Sequence, residues 1–179
     1  MIYITGDCHR NFERFNTKNF PRQKEMTKDD YVIICGDFGG VWDKDTSGRE
    51  ETWWLNWLEN KPFTTLFVDG NHENFDRLYS YPVEKWKGGK VHKVRPSVIH
   101  LMRGQVYLIG GKKIFSFCCS SSMQACIGEG MYEPDALTQY FQDLERTVKF
   151  KYWFFGHYHD NRNLAGQKIL LYEQMIRIA

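Results

Sequence analysis

The chain has no excess of charge of either sign. Its 24 lysines and arginines face 22 aspartates and glutamates, for a formal net charge of +2. That balance gives no argument for a nucleic acid or an acidic membrane as partner. No apolar run approaches the length of a bilayer span. There is also no internal repeat, no low-complexity tract and no Pro/Gly/Ser linker to mark a domain boundary. The cysteines are five, an odd number without zinc-knuckle spacing. Cys35 lies inside an apolar strand-like run, so the set suits reduced thiols in the cytoplasm better than a disulfide framework. The first strand begins at Met1 or Ile2, which leaves no room for a signal peptide. The expectation is a soluble, cytoplasmic protein with no membrane partner. Its 179 residues suit a single domain, 1–179, because two halves would each have a marginal core.

What is present is a change of character along the chain. The first half reads as strand, loop and helix, repeated. Strands are predicted at residues 2–5, 31–36 and 64–69, and helices at 11–18, 50–60 and 74–79. The run Tyr31-Val32-Ile33-Ile34-Cys35 is apolar and β-branched, as in a strand buried on both faces. Beyond Pro82 short strands follow at 90–94, 98–102, 105–109 and 113–117. The last two are joined by Gly110-Gly111, a strong hairpin signal. The stretch from Lys85 to Arg95 is the most basic and reads as a solvated hairpin. Glu133-Pro134-Asp135 then opens a helix that runs to about Val148, with Leu137, Tyr140, Phe141, Leu144 and Val148 at helical spacing. Strands at 151–155 and 168–178 close the pattern. The expected fold class is α/β, with two mixed β-sheets packed face to face and flanking helices.

Four glycine-led blocks carry the chemistry. Gly6-Asp7-Cys8-His9 follows Ile2-Tyr3-Ile4, Gly36-Asp37 follows the second strand, and Gly70-Asn71-His72-Glu73 follows Leu66-Phe67-Val68. Gly156-His157-Tyr158-His159 follows Tyr152-Trp153-Phe154-Phe155. Parallel sheets deliver functional groups from loops at the carboxyl ends of their strands, so the four blocks converge on one site. Asp7 and His9 stand two residues apart, a spacing that lets both face one side of an extended loop. His157 and His159 repeat it. A carboxylate with an imidazole suits manganese, iron or zinc. Asp37 adds a carboxylate able to bridge two cations, and Asn71 an uncharged amide oxygen. One such block is weak evidence, whereas four in strand-end context point to a metal site.

These residues resemble the calcineurin-like metallophosphoesterases of the bacterial and phage type, over nearly the whole span from Gly6 to His159. The resemblance implies two divalent metal ions. Asp7, His9 and His159 would hold the first, Asn71 and His157 the second, and Asp37 would bridge them. It implies a phosphate monoester or diester as substrate and a metal-activated hydroxide as attacking group. His72 would stay off the metals and assist the leaving group, a role suited to a side chain that titrates near neutrality. Nucleotide or nucleic acid as substrate has no support in the motifs beyond this.

The chain departs from the family's pattern in its middle. The lone histidine that normally completes the second metal's shell should end a strand there. Ile114-Phe115-Ser116-Phe117 leads instead into Cys118-Cys119, which places Phe117 at that position in a segment shorter than usual. The second site is therefore expected to be weak or empty. His92, His100, Cys118 and Cys119 are the available substitutes, with His92 and His100 read as surface hairpin residues and the cysteines as small, partly buried ones. A non-catalytic relic that binds phosphate, nucleotide or a protein is the alternative function. Arg10, where many relatives have glycine, either binds a phosphate oxygen or faces solvent at a helix start. Tyr158, held between two ligand histidines, is a candidate substrate contact. The Trp53, Trp54 and Trp57 cluster is read as packing on the sheet.

Overall fold

The computed structural model describes residues 1–117, 136–164 and 166–179. Strands β1 (Ile2–Thr5), β2 (Tyr31–Cys35), β3 (Thr64–Val68) and β6 (Val98–Leu101) run parallel. They form the middle of a seven-stranded mixed sheet. Its antiparallel flanks are β12 (Ile176–Arg177) beside β1 and the pair β5 (Gly89–Arg95) and β4 (Val83–Trp86) beyond β6. Between β6 and the end of the chain lie the hairpin β7 (Gln105–Ile109) with β8 (Lys112–Ser116) and a three-stranded sheet of β9 (Trp153–Phe155), β10 (Arg162–Leu164) and β11 (Lys168–Leu170). The helices are α1 (Arg49–Glu59), α2 (Phe75–Ser80) and α3 (Ala136–Thr147).

Side-chain alternation sorts the core into two layers. On β1 and β2, Ile2, Ile4, Tyr31 and Ile33 face one way, packing with Ile99, Tyr107, Ile109 and Ile169 toward β7 and β11. Tyr3, Val32 and Ile34 face the other way, against Phe12, Phe15, Leu55, Leu58 and Phe63. A period-two strand with apolar residues at every position must be covered on both faces. Here the β7–β8 hairpin and the three-stranded sheet cover one face of the seven-stranded sheet, and α1 with the aromatic N-terminal loops covers the other. The face-to-face arrangement expected from the sequence is thus present. Gly110 and Gly111, at φ 53° and 74°, form the turn of the β7–β8 hairpin, whose two positive-φ positions suit glycine.

Several boundaries differ from expectation. Residues 11–18 form only a short 3-10 turn at Glu13–Phe15, because Phe12 and Phe15 are buried three apart and satisfy that tighter period. The predicted strand at 168–178 breaks after Leu170 and resumes only at Ile176–Arg177. Its two parts serve different sheets. β4 and β10 were not predicted; three of the four residues of β4 are exposed, so it lacks a buried apolar face. Trp54 and Trp57 pack partly buried against the core, whereas Trp53 is exposed. His92 and His100 are not surface residues. Both are fully buried, with rings stacked 5.3 Å apart on adjacent strands. No helix among the described residues is long and apolar enough to cross a membrane.

Candidate metal centre

The parallel pairing of β1, β2 and β3 puts their carboxyl ends on one side of the sheet, and β9 brings its own end to the same place. The Gly156 loop docks directly on the first one. The His157 N–H donates to Asp7 Oδ2 at 2.6 Å. A Cβ at Gly156 would stand 2.3 Å from Asp7 Oδ1 and 2.4 Å from the Cys35 carbonyl, so only glycine allows this approach. The second and third loops join likewise, since Asp37 Oδ1 accepts from the Asn71 N–H at 2.7 Å and the His72 N–H at 3.1 Å. The Asp37 carbonyl in turn accepts from the Cys8 and His9 N–H groups at 3.0 and 2.8 Å.

These docked loops gather four ligand-type side chains. One donor atom from each of Asp7, His9, Asp37 and His159 lies within 4.8 Å of the others. The Nε2 atoms of His9 and His159 face each other at 2.8 Å. Asp37 Oδ2 sits 3.9 Å from His9 Nε2 and 3.6 Å from His157 Nδ1, so it stands between the first cluster and the fourth loop. Asn71 and His72 are exposed on the same rim, and the His72 ring meets His9 edge-on at 4.5 Å. Backbone conformation marks the same residues. His9, Arg10, Asp37, His157 and His159 are five of the six non-glycine residues with positive φ among those described. Such conformations are costly and persist where the surroundings impose them.

The electrostatics of the cluster call for positive charge. Asp7 is fully buried, and its Oδ1 has no hydrogen-bond partner among the described residues. Burial, and then the charge of Asp37, push its carboxyl up to about 7 against the pull of the His157 N–H and Arg14. His9 is held below its ordinary range, because burial outweighs the attraction of Asp37. Two buried carboxylates, one with an unpaired oxygen, beside the imidazoles of His9 and His159 form a donor set that fits a divalent cation. By the same chemistry Cys8 is an inert thiol: burial pushes it up to about 12.

Other predicted residues stand apart from this cluster. The Arg10 guanidinium donates to the Gly39 carbonyl at 3.2 Å and to Asp43 at 2.8 Å, and lies 3.5 Å from Glu51. Its contacts bind a neighbouring loop, and it neither faces solvent nor starts a helix. Tyr158 packs on Phe155 and Leu170, with its ring 5.3 Å from that of His157. The Phe117 ring lies against Phe115, Tyr140 and Phe141, under α3. His92 and His100 are engaged elsewhere, with facing Nδ1 atoms 3.0 Å apart and His100 Nε2 3.3 Å from Asp69 Oδ1. Cys118 and Cys119 lie outside the described residues.

Some supporting residues were not foreseen. Glu73 is buried, and its two oxygens accept from the Gly39 N–H at 2.8 Å and the Gly70 N–H at 2.7 Å. It thereby stitches the second loop to the third. Burial pushes its carboxyl up to about 7. Arg14 gathers carbonyls around the first loop, donating to Asp7 O at 2.6 Å and Tyr172 O at 2.6 Å. Glu73 had a signal in its place within the third block. Arg14 had none, since a lone arginine in a polar loop gives no sign of which carbonyls it will meet.

Comparison with known proteins agrees with this geometry. A family model described as calcineurin-like phosphoesterase matches residues 1–161. A lariat debranching enzyme A from Xenopus laevis is 27% identical over 103 residues. That stretch covers 51% of this chain and 19% of the relative, so the chain spans less than a fifth of the relative's length. No solved structure matches significantly.

Proposed function

The chain belongs to the calcineurin-like phosphoesterase family, and from that premise we propose that it hydrolyses phosphate monoesters or diesters with the help of divalent metal. The observation that carries this reading is the convergence of Asp7, His9, Asp37 and His159 within 4.8 Å on loops from separate strands. Asp7, His9 and His159 would hold one ion, Asn71 and His157 a second, and Asp37 would serve both. Manganese, iron and zinc all suit these ligands. When bound, such ions supply Lewis-acid activation of water and of the phosphate oxygens.

The protein's own groups do the rest. Asp37 orients the third loop through the N–H groups of Asn71 and His72, so the residue that would serve both ions also positions the backbone of His72. The His72 imidazole, exposed beside His9, holds a proton over the leaving oxygen and delivers it as the ester bond breaks. Asp37, Asn71 and His157 would hold a second ion less tightly than the first, because Phe117 is turned into an aromatic cluster and offers no ligand.

The test is hydrolysis of p-nitrophenyl and bis-p-nitrophenyl phosphate by protein supplied with manganese, alongside metal content per chain. Metal-dependent turnover that falls about a hundredfold or more in His72→Ala is expected. A folded, metal-loaded protein inert toward both esters would leave the relic as the better description.

A further inference from the structure

A row of rings crosses the candidate centre. Tyr172 stacks on His159 with centroids 4.8 Å apart, His159 meets His9 at 4.8 Å, and His9 meets His72 at 4.5 Å. Trp42 ends the row, stacked on His72 at 5.4 Å and an interplanar angle of 29°. It keeps 47% of its surface exposed. An indole left in water is ordinarily found on a mobile or incidental surface, but this one is braced. The backbone N–H of Trp42 donates to Glu51 Oε2 at 2.9 Å, and Val41 before it is fully buried, with its carbonyl accepting from the Asn74 N–H at 2.8 Å. Glu51, fully buried, also binds the Asp43 N–H, Ser47 and Arg77. A rigid, exposed aromatic face beside a reactive histidine has the character of a recognition surface.

The geometry points to Trp42 as a specificity-determining residue that receives a planar aromatic ring carried by the leaving group of the ester. The inference rests on the phosphoesterase reading, in which His72 protonates the leaving oxygen. The leaving group then emerges on the His72 side, and Trp42 is the next ring beyond it. Stacking needs no net positive charge and no hydrogen-bond code. Arg10 is already bound to Asp43 at 2.8 Å. A nucleobase and a simple aryl group offer the same stacking face.

Two matched pairs of esters separate these sources. Adenosine 5′-monophosphate and ribose 5-phosphate share a leaving alkoxide and differ by the base, whereas benzyl and cyclohexylmethyl phosphate differ by aromaticity alone. The expected result with manganese-supplied protein is a kcat/KM preference of about tenfold for the aromatic member of at least one pair, the order that stacking on a base gives. Preference in the first pair alone identifies a base, and in the second alone an aryl group. Trp42→Ala should bring that ratio toward one, and Trp42→Phe should retain part of it, with thermal unfolding confirming that both variants fold. No preference in the unmodified protein overturns the inference. So does an equal fall for all four esters in Trp42→Ala, which would make Trp42 a support for His72 only. If no ester is hydrolysed, the phosphoesterase reading fails separately. Equilibrium dialysis of adenosine 5′-monophosphate and ribose 5-phosphate then decides the stacking: a base preference lost in Trp42→Ala supports it, and equal binding overturns it.

Discussion

Asp37 joins more of the candidate centre than any other single residue described. One carboxylate oxygen accepts two N–H groups of the third loop, and the other stands between His9 and His157. Removing the side chain would therefore withdraw a candidate metal ligand and untie the loop that carries Asn71 and His72. Asn71 contributes to the loop bond through its backbone, which substitution of its side chain leaves in place. Asp37→Ala is accordingly expected to lower metal content per chain more than Asn71→Ala, as measured by elemental analysis after dialysis. Equal loss in the two variants would refute the bridging role.

At the scale of elements, the loop from Trp42 to Gly48 has no regular structure, and a carboxylate from the first turn of α1 gathers several of its groups. Glu51 accepts from the Trp42 and Asp43 N–H groups at 2.9 Å each, from Ser47 at 2.6 Å and from Arg77 of α2. Burial alone would raise this carboxyl, but the bonds from Arg77, Ser47, Asp43 and Trp42 outweigh it and hold the group down at about 2. Its folded value lies below its ordinary 4.5. Its contribution is therefore complete above about pH 4.5 and is lost as pH falls toward 2. Chemical unfolding between pH 6 and pH 3 should show declining stability. Glu51→Gln should cost about 2–3 kcal/mol at neutral pH and flatten that decline. An unchanged slope in the variant would place the acid sensitivity elsewhere.

At the scale of the molecule, the β7–β8 hairpin, α3 and β9 meet in one aromatic cluster. Phe117 follows β8 and meets Tyr140 and Phe141 of α3 with ring centroids at 5.5 and 5.1 Å. Phe141 in turn meets Trp153 of β9 at 5.6 Å. The residue at the position of the expected histidine thus ties the hairpin to α3, and Phe141 ties α3 to the strand that leads into His157 and His159. Phe117→His would place a polar ring in that cluster and remove apolar packing. It should cost roughly 1–2 kcal/mol in denaturant unfolding and leave metal stoichiometry unchanged. A rise in bound metal would show that the side chain reaches Asn71 and His157 after all.

The local pattern by itself determined the strands that end at the four blocks, the two-faced burial of β2, the hairpin turn at Gly110-Gly111 and the identity of the ligand-type residues. Each rests on spacing within a few residues, where backbone period and side-chain chemistry act directly. Tertiary structure alone decided the rest. The burial of His92 and His100 depends on which strands become neighbours, and neither ring's local sequence encodes that. The contacts of Arg10 and Arg14 depend on loops 29 and 158 residues away in the chain. Trp42 lies in a segment without periodicity, and it comes to rest on His72 because a carboxylate from another element fixes its backbone. Long-range pairings of this kind follow from the packing of the whole chain, in which every loop's position is set by partners distant in sequence.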